Sequence, residues 1–260
     1  MLRQFRITKY DPANRDRQGR YLVDEWTEAW DIGKDINGHT LTLDDYLVVE
    51  ARYVRAAERF FQASGLGHLR VNRVGMHEAD DDTDHVLYVP AFADIRLAED
   101  GKITAGDLPL LLRAMLRGYC WCQLDIDGQF FIHTGWDYYM YVGINADCAD
   151  QIIETEADGL FVEELPSPYH CPDDVTPVPV VSAYPLPLDE FGMAAGMAKS
   201  TKFPALTIPQ IRDCFGLSDE HPCTQIFEVL PGQAKQLEAL IDYRFDFDKY
   251  VYNLTTSHEF

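Results

Sequence analysis

The sequence predicts an α+β fold in two lobes, with mainly antiparallel sheets packed against helices. Apolar residues recur at helical spacing in some segments and form short strand-like runs in others. Asp127 and Gly128 stand between two such runs as a hairpin turn, which makes the neighbouring strands antiparallel. A proline-rich stretch then divides the chain. We therefore predict an N-terminal domain at 1–165, a linker at 166–177 and a smaller C-terminal module at 178–260.

Two helices are predicted in the N-terminal domain. The first, at 43–62, carries apolar residues at helical spacing, with Thr42 as its N-cap and Gly65 beyond its end. The second, at 107–118, has Asp107 as its cap and a stripe of leucines for burial. Both are therefore expected to cover one face of a sheet.

The strands of this domain are predicted at 3–10, 68–76, 85–92 and within 119–144. If Asp127 and Gly128 form a two-residue turn, Cys122 faces His133 across the hairpin. Cys120 shares that face, because side chains two positions apart in a strand point the same way.

The C-terminal module is predicted to be a smaller α+β unit. Its predicted strands lie at 180–186, 224–230 and 245–254, and its predicted helices at 207–216 and 232–241.

Charge is the unusual bulk property of the chain. Its 260 residues include 43 Asp and Glu against 22 Lys and Arg, a formal net charge of -21. Such a field disfavours binding to nucleic acid or to anionic membranes, and it attracts cationic partners. No secretory signal and no apolar run that could span a bilayer stand out, so we expect a cytoplasmic protein with reduced cysteines.

The acidic stretch at 76–89 is the first candidate site. Asp80, Asp82 and Asp84 have the spacing of a calcium loop, but the required Gly and bidentate Glu are missing. His77 and Glu78 begin a zinc-protease motif that lacks its second histidine. Two interpretations remain: a solvated loop, or a surface for a basic partner. The partner-binding candidates here are Glu78, Asp80, Asp81, Asp82 and Asp84.

Aromatic residues provide a second set of candidates. Trp136 and Tyr138 alternate with other residues in a stretch that we predict to be a strand, and Trp26 and Trp30 stand among acids. Each of the four has two interpretations, packing in the core or anchoring a protein partner.

Cys120, Cys122 and His133 are the candidates for chemistry. They could form part of a zinc site or a thiolate–imidazole pair, although buried cysteines beside a core histidine are the commoner arrangement. The chain has no nucleophile elbow, phosphate-binding loop or dinucleotide fingerprint. We therefore predict no catalytic residue, no cofactor and no bound metal.

Several of these stretches also resemble a known family. The segments "RITKYDP", "DEWTEAWDIG", "WCQL" and "IHTGWDYYMY", within roughly the first 145 residues, are similar to an uncharacterised bacterial family associated with polymorphic-toxin loci. The C-terminal module, from about Val178, resembles another small domain of unknown function from similar contexts. The first resemblance implies an immunity role and assigns no binding residue.

Three functions follow as hypotheses. The leading one is an immunity protein that neutralises a cognate, basic protein toxin, such as a nuclease, by covering its active site. The second is an enzyme or zinc-dependent protein that uses Cys122 and His133. The third is a non-catalytic scaffold module.

Overall fold

The computed structural model describes residues 2–76, 86–170, 179–188, 196–203, 206–223 and 225–256. The chain divides into two compact units, Met1–Tyr169 and His170–Phe260. Helices and mainly antiparallel sheets build both units, so the predicted α+β class is confirmed. Residues 166–169, which fall in the predicted linker, are part of the first unit, where Ser167 N donates to the side chain of Gln4.

The first unit contains a seven-stranded antiparallel sheet with the order β5-β4-β6-β7-β8-β1-β9. Its strands are β1 (Arg3–Thr8), β4 (His68–Met76), β5 (Lys102–Thr104), β6 (Cys120–Ile126), β7 (Phe130–Thr134), β8 (Met140–Ile144) and β9 (Phe161–Glu164). A separate two-stranded pair is formed by β2 (Asp35–Ile36) and β3 (His39–Thr40).

Three helices belong to this unit: α1 (Leu43–Ser64), α2 (Leu108–Leu116) and α3 (Ala149–Ala157). A capping box between Thr42 and Asp45 starts α1, and Gly65 ends it with a φ of 72°. Asp107 precedes α2 but does not cap it, because its carboxylate accepts from Thr104 N and Oγ1 instead.

The two faces of the large sheet differ in chemistry. One face, which includes Ile7 and Leu124, joins the helices in the apolar core. The other face is polar along one row of directly paired residues: Asn72, Gln123, His133, Tyr141, Arg6 and Glu163. The polar groups in the middle of this sheet therefore need partners on the face away from the helices.

Two predicted strands have other structures. Residues Pro90–Asp94 form a 3-10 turn instead of part of a strand at 85–92, because Pro90 fixes φ and has no N–H for a ladder. Residues Trp136–Tyr138 also form a 3-10 turn, so β8 begins only at Met140.

A buried ion pair connects α1 with the end of α2. The Glu50 carboxylate accepts from Arg117 Nε at 2.5 Å and from Arg117 Nη2 at 2.8 Å. Arg117 Nη1 donates to the Leu87 carbonyl at 2.8 Å. Because both charged side chains are almost fully buried, each depends on the other to offset the loss of hydration.

The second unit contains a four-stranded antiparallel sheet with the order β11-β10-β13-β12. Its elements are β10 (Val180–Pro185), β11 (Lys199–Lys202), α4 (Ile208–Phe215), β12 (Ile226–Val229), α5 (Pro231–Leu240) and β13 (Tyr250–Thr255). A capping box of Thr207 and Gln210 starts α4, and the two helices and the sheet share one apolar core.

Within the described ranges, no helix is both long enough and apolar enough to cross a membrane.

Candidate functional site

The most exposed aromatic side chain of the first unit is Trp136, in the turn at 135–139 that joins β7 to β8. Its side chain is 84% exposed. The next two residues, Asp137 and Tyr138, have positive φ angles of 56° and 61°. This region is unfavourable for residues with a side chain, above all for a bulky one such as Tyr138, so the turn stores backbone strain.

Burial of Tyr138 offsets that strain. Its ring lies 4.9 Å from that of Trp26 and 5.1 Å from that of Tyr53, and its hydroxyl donates to the Tyr46 hydroxyl at 2.9 Å. Tyr138 is only 6% exposed, so it belongs to the core and is not available to a partner, contrary to its prediction as an anchor. The buried ring holds the turn in the conformation that presents Trp136.

Tyr10 contacts both this turn and the segment that begins at Tyr21. The Tyr10 hydroxyl donates to the Asp137 carbonyl at 2.8 Å, with the Trp26 carbonyl 3.1 Å away. The ring of Tyr10 also packs against Tyr21, at 5.2 Å. Exposed Leu22 and Val23 follow Tyr21 directly.

We call Leu22, Val23, Asp24, Trp136 and Asp137 the Trp136 surface. All five residues are exposed and two are acidic, so each of the two segments that Tyr10 connects combines apolar area with negative charge. Trp136 was predicted from the sequence, whereas Leu22 and Val23 were not, because they lie in a segment whose apolar residues follow no helical or strand spacing.

The other predicted tryptophans lie in different surroundings. Trp26 is half-buried and packs against Tyr46 as well as Tyr138. Trp30 is 43% exposed, and its indole nitrogen lies 3.4 Å from the position that a Cβ on Gly118 would occupy. Only Trp136 therefore presents most of its ring to solvent. The acidic candidates Glu78, Asp80, Asp81, Asp82 and Asp84 lie outside the described residues.

Lys9 is enclosed beside Tyr10. Its side chain is 6% exposed, and its Nζ lies 3.1 Å from a Glu25 carboxylate oxygen. The same Nζ is 3.9 Å from the centre of the Tyr10 ring and 4.2 Å from that of the Trp26 ring. Burial lowers the pKa of Lys9 to about 8, while Glu25 acts in the opposite direction.

This pKa gives Lys9 a predictable effect on stability. Between pH 8 and 10.5, the ordinary pKa of a lysine, the unfolded chain holds the Lys9 proton more tightly than the folded chain does. The contribution of Lys9 to the free energy of unfolding must therefore increase with pH across this window. We expect the wild-type protein to gain stability relative to Lys9→Met between pH 8 and 10.5, measured by urea unfolding. An NMR titration of lysine ¹³Cε should show a resonance with a midpoint near 8 that Lys9→Met removes. A midpoint above 10 would contradict the prediction.

The predicted Cys122–His133 pair does not form. Ile126 pairs with Phe130, so Asp127, Gly128 and Gln129 all belong to the loop, and the register is shifted by one residue. His133 therefore pairs with Gln123. Because a one-residue shift reverses the face of every side chain, Cys122 points to the helix side and His133 to the polar side.

The cysteines on the helix side lack the properties of nucleophiles. Cys122 contacts Met115, with its Sγ 3.8 Å from the methionine sulfur, and burial raises the pKa of its thiol well above the usual value. Burial also raises the pKa of Cys120 to about 12. Both thiols therefore stay protonated at neutral pH. Within the described residues, no three His, Cys, Asp or Glu side chains come together as a metal site.

His133 instead stands at the centre of a buried hydrogen-bonded chain. Its Nε2 lies 2.9 Å from Asp125 Oδ1, and its Nδ1 lies 3.0 Å from Ser167 Oγ. We assign the proton to Nε2, since the carboxylate can only accept, so the Ser167 hydroxyl donates to Nδ1. The ring of Phe131 stacks on the imidazole at 4.1 Å, and Asn72 Nδ2 donates to the other oxygen of Asp125.

Residues 165–169, which we call the strap, carry Ser167 across the polar face. Leu165 N donates to the Gln4 carbonyl at 3.1 Å, and Ser167 N donates to the Gln4 side chain at 2.8 Å. Tyr169 N in turn donates to Ser167 Oγ at 3.2 Å. Ser167, His133 and Asp125 are bonded in the order of a hydrolase triad, but Ser167 is buried, and these hydrogen bonds connect the strap to β7 and β6. Ser167 was not predicted as a site residue, because it falls in the linker predicted at 166–177.

A family model matches part of the second unit. Residues 197–255 match the model of the Domain of unknown function (DUF7683). The match lies within the C-terminal module, and it covers less than half of the chain, so it describes only the second unit. No curated protein and no solved structure matches the chain.

Proposed function

We propose that this protein is an immunity protein that binds a basic protein toxin through the Trp136 surface and covers the toxin's active site. The observation that carries the proposal is the Trp136 turn. A tryptophan that is 84% exposed costs free energy in water, and here a strained turn with a buried tyrosine holds it in place. Such a rigid aromatic residue is typical of the central anchor of a protein interface.

Charge supports a cationic partner. The net charge of -21 attracts a basic protein from a distance, and Asp137 supplies negative charge next to the anchor in sequence. A toxin that acts on nucleic acid needs a basic surface for its polyanionic substrate, so a nuclease is the partner that we favour. The N-terminal segments resemble a family associated with polymorphic-toxin loci, and this resemblance agrees with a toxin as the partner. In this mechanism the protein itself performs no chemistry.

The same proposal places the protein in the cytoplasm, where such a toxin would act. Among the described cysteines, Cys120, Cys122, Cys148 and Cys214 are free thiols, which suits a reducing compartment.

The test is neutralisation of a toxin from an adjacent gene. Coexpression of the protein with the adjacent product should restore growth, and the two proteins should form a complex whose association slows as salt is added. Trp136→Ala should weaken that complex about tenfold, mainly through faster dissociation, because the anchor is lost.

Val48→Ala is the matched control. Val48 is an exposed apolar residue on α1 and is not one of the five residues of the Trp136 surface, so its replacement should leave affinity and growth rescue unchanged. If Trp136→Ala and the wild type bound the toxin with equal affinity, the Trp136 surface would not be the binding site. A partner that binds but is not toxic would refute immunity and favour the scaffold hypothesis.

A further inference from the structure

The strap reaches the base of the Trp136 turn from the polar face of the sheet. Ser167 bonds to His133, which lies in β7 two residues before Gly135, the first residue of the turn. His133 is 1% exposed and is also held by Asp125 and the Phe131 ring. The strap is therefore attached to a rigid point of the strand that leads into the turn.

Tyr169, at the end of the strap, contacts both sides of the same turn. A Cβ built on Gly135 would lie 3.0 Å from the Tyr169 hydroxyl oxygen and 3.1 Å from its Cε2. The Tyr169 ring also makes an edge contact with that of Tyr141 in β8, at 5.9 Å. Gly135 begins the turn and Tyr141 follows it, so one ring supports both of its ends.

The turn needs support from two directions because its backbone is strained. Tyr138 holds it from the helix side, as described above. On the polar face, Gly135 N donates to the Tyr139 carbonyl at 2.8 Å and closes the turn at the position against which Tyr169 packs. Without the strap, this side of the turn would lose its packing, and the strained residues could relax toward ordinary φ angles.

We propose that Ser167 and Tyr169 are positioning residues for Trp136: the strap holds the base of the 135–139 turn and so fixes the direction in which Trp136 points. The proposal rests on the assignment of Trp136 as the partner anchor. A fixed anchor loses less conformational freedom on binding than a mobile one, so the strap increases affinity without touching the partner. The hydrogen bonds among Asp125, His133 and Ser167 on the polar face of the sheet thereby contribute to partner binding.

The experiment measures the turn directly and needs no partner. The 260-residue chain is labelled with 5-fluorotryptophan, and Trp136→Phe assigns the Trp136 resonance among its four tryptophans. Amide hydrogen exchange is followed at Gly135 and Tyr139, whose N–H groups donate within the turn. Ser167→Ala removes only a hydroxyl and is therefore the smallest change that breaks the bond to His133.

We expect Ser167→Ala to raise the exchange rates of these two amides about fivefold, the effect of one lost hydrogen bond, and to shift or broaden the Trp136 resonance. Tyr169→Ala should do the same, whereas Tyr169→Phe keeps the ring and loses only the hydroxyl contact, so its effect should be smaller than that of Tyr169→Ala. Ser182→Ala, which removes a serine hydroxyl contact in the second unit, is the control and should change neither signal.

Faster exchange at residues 165–169 in Ser167→Ala, with an unchanged turn and an unchanged Trp136 resonance, would overturn the proposal. That result would leave the proposed function untouched, since the function is tested by Trp136→Ala against a toxin. Conversely, a mobile turn in Ser167→Ala would support the positioning role even if the partner proved not to be a toxin.

Discussion

Replacing Arg117 with Met is expected to lower the free energy of unfolding of the first unit by about 3–5 kcal/mol. The substitution leaves the Glu50 carboxylate buried without its two bonds from the Arg117 guanidinium. It also leaves the Leu87 carbonyl without the Arg117 donor. Urea unfolding followed by tryptophan fluorescence measures the effect on this unit alone, because Trp26, Trp30, Trp121 and Trp136 all lie in it.

Arg113→Met is the matched control for this prediction. Arg113 Nε lies 3.6 Å from Glu50, but its side chain is 38% exposed, so its loss should cost less than about 1 kcal/mol. The double variant Glu50→Met with Arg117→Met removes both charges and should be more stable than Arg117→Met. The prediction fails if Arg117→Met unfolds at the same urea concentration as Arg113→Met.

Local signals in the sequence were sufficient for the helices that have caps. Thr42 and Gly65 border α1, and Thr207 and Gly216 border α4, because capping depends on residues close in sequence. The helix α3 was missed because it has few apolar residues, and one of them, Ile153, is exposed. An acidic segment of this kind becomes a helix through its tertiary contacts, which sequence periodicity does not record.

The hairpin shows why the candidate site was harder to predict than the fold. Asp127 and Gly128 correctly marked where β6 turns into β7, but the register depends on whether Gln129 joins the loop. That single residue separates Cys122 from His133 and brings His133 to Asp125. The length of the loop depends on backbone geometry, which the sequence pattern does not record. The pattern therefore predicted the two antiparallel strands correctly but gave the wrong partner for His133.

Long-range contacts explain the remaining differences. Tyr138 was predicted to alternate in a strand with Trp136, and the two would then have shared one face. The turn separates them, with Trp136 in solvent and Tyr138 against Tyr46 and Tyr53. Ser167 is distant in sequence from His133, and nothing near either residue predicts their contact.

Gly143→Ala should destabilise the first unit by about 3 kcal/mol, at the upper end of the usual cost of overpacking. A Cβ on Gly143 would lie 2.2 Å from Cε1 of the buried Phe131 ring, which crosses the β8 backbone at this glycine. The ring is also stacked on His133, so moving it would disturb the imidazole that bonds to Asp125 and Ser167.

Urea unfolding by tryptophan fluorescence tests this prediction, with Gly75→Ala as the control. Gly75 is a strand glycine whose added Cβ would lie 3.5 Å from Trp121, an ordinary contact, so its replacement should cost little. Phe131→Val in the Gly143→Ala background frees the space and should recover part of the loss, because the two positions share one volume. Equal stability of Gly143→Ala and Gly75→Ala would mean that the ring moves aside at little cost. Phe131 would then not be one of the groups that fix His133, and the imidazole would depend on Asp125 and Ser167 for its orientation.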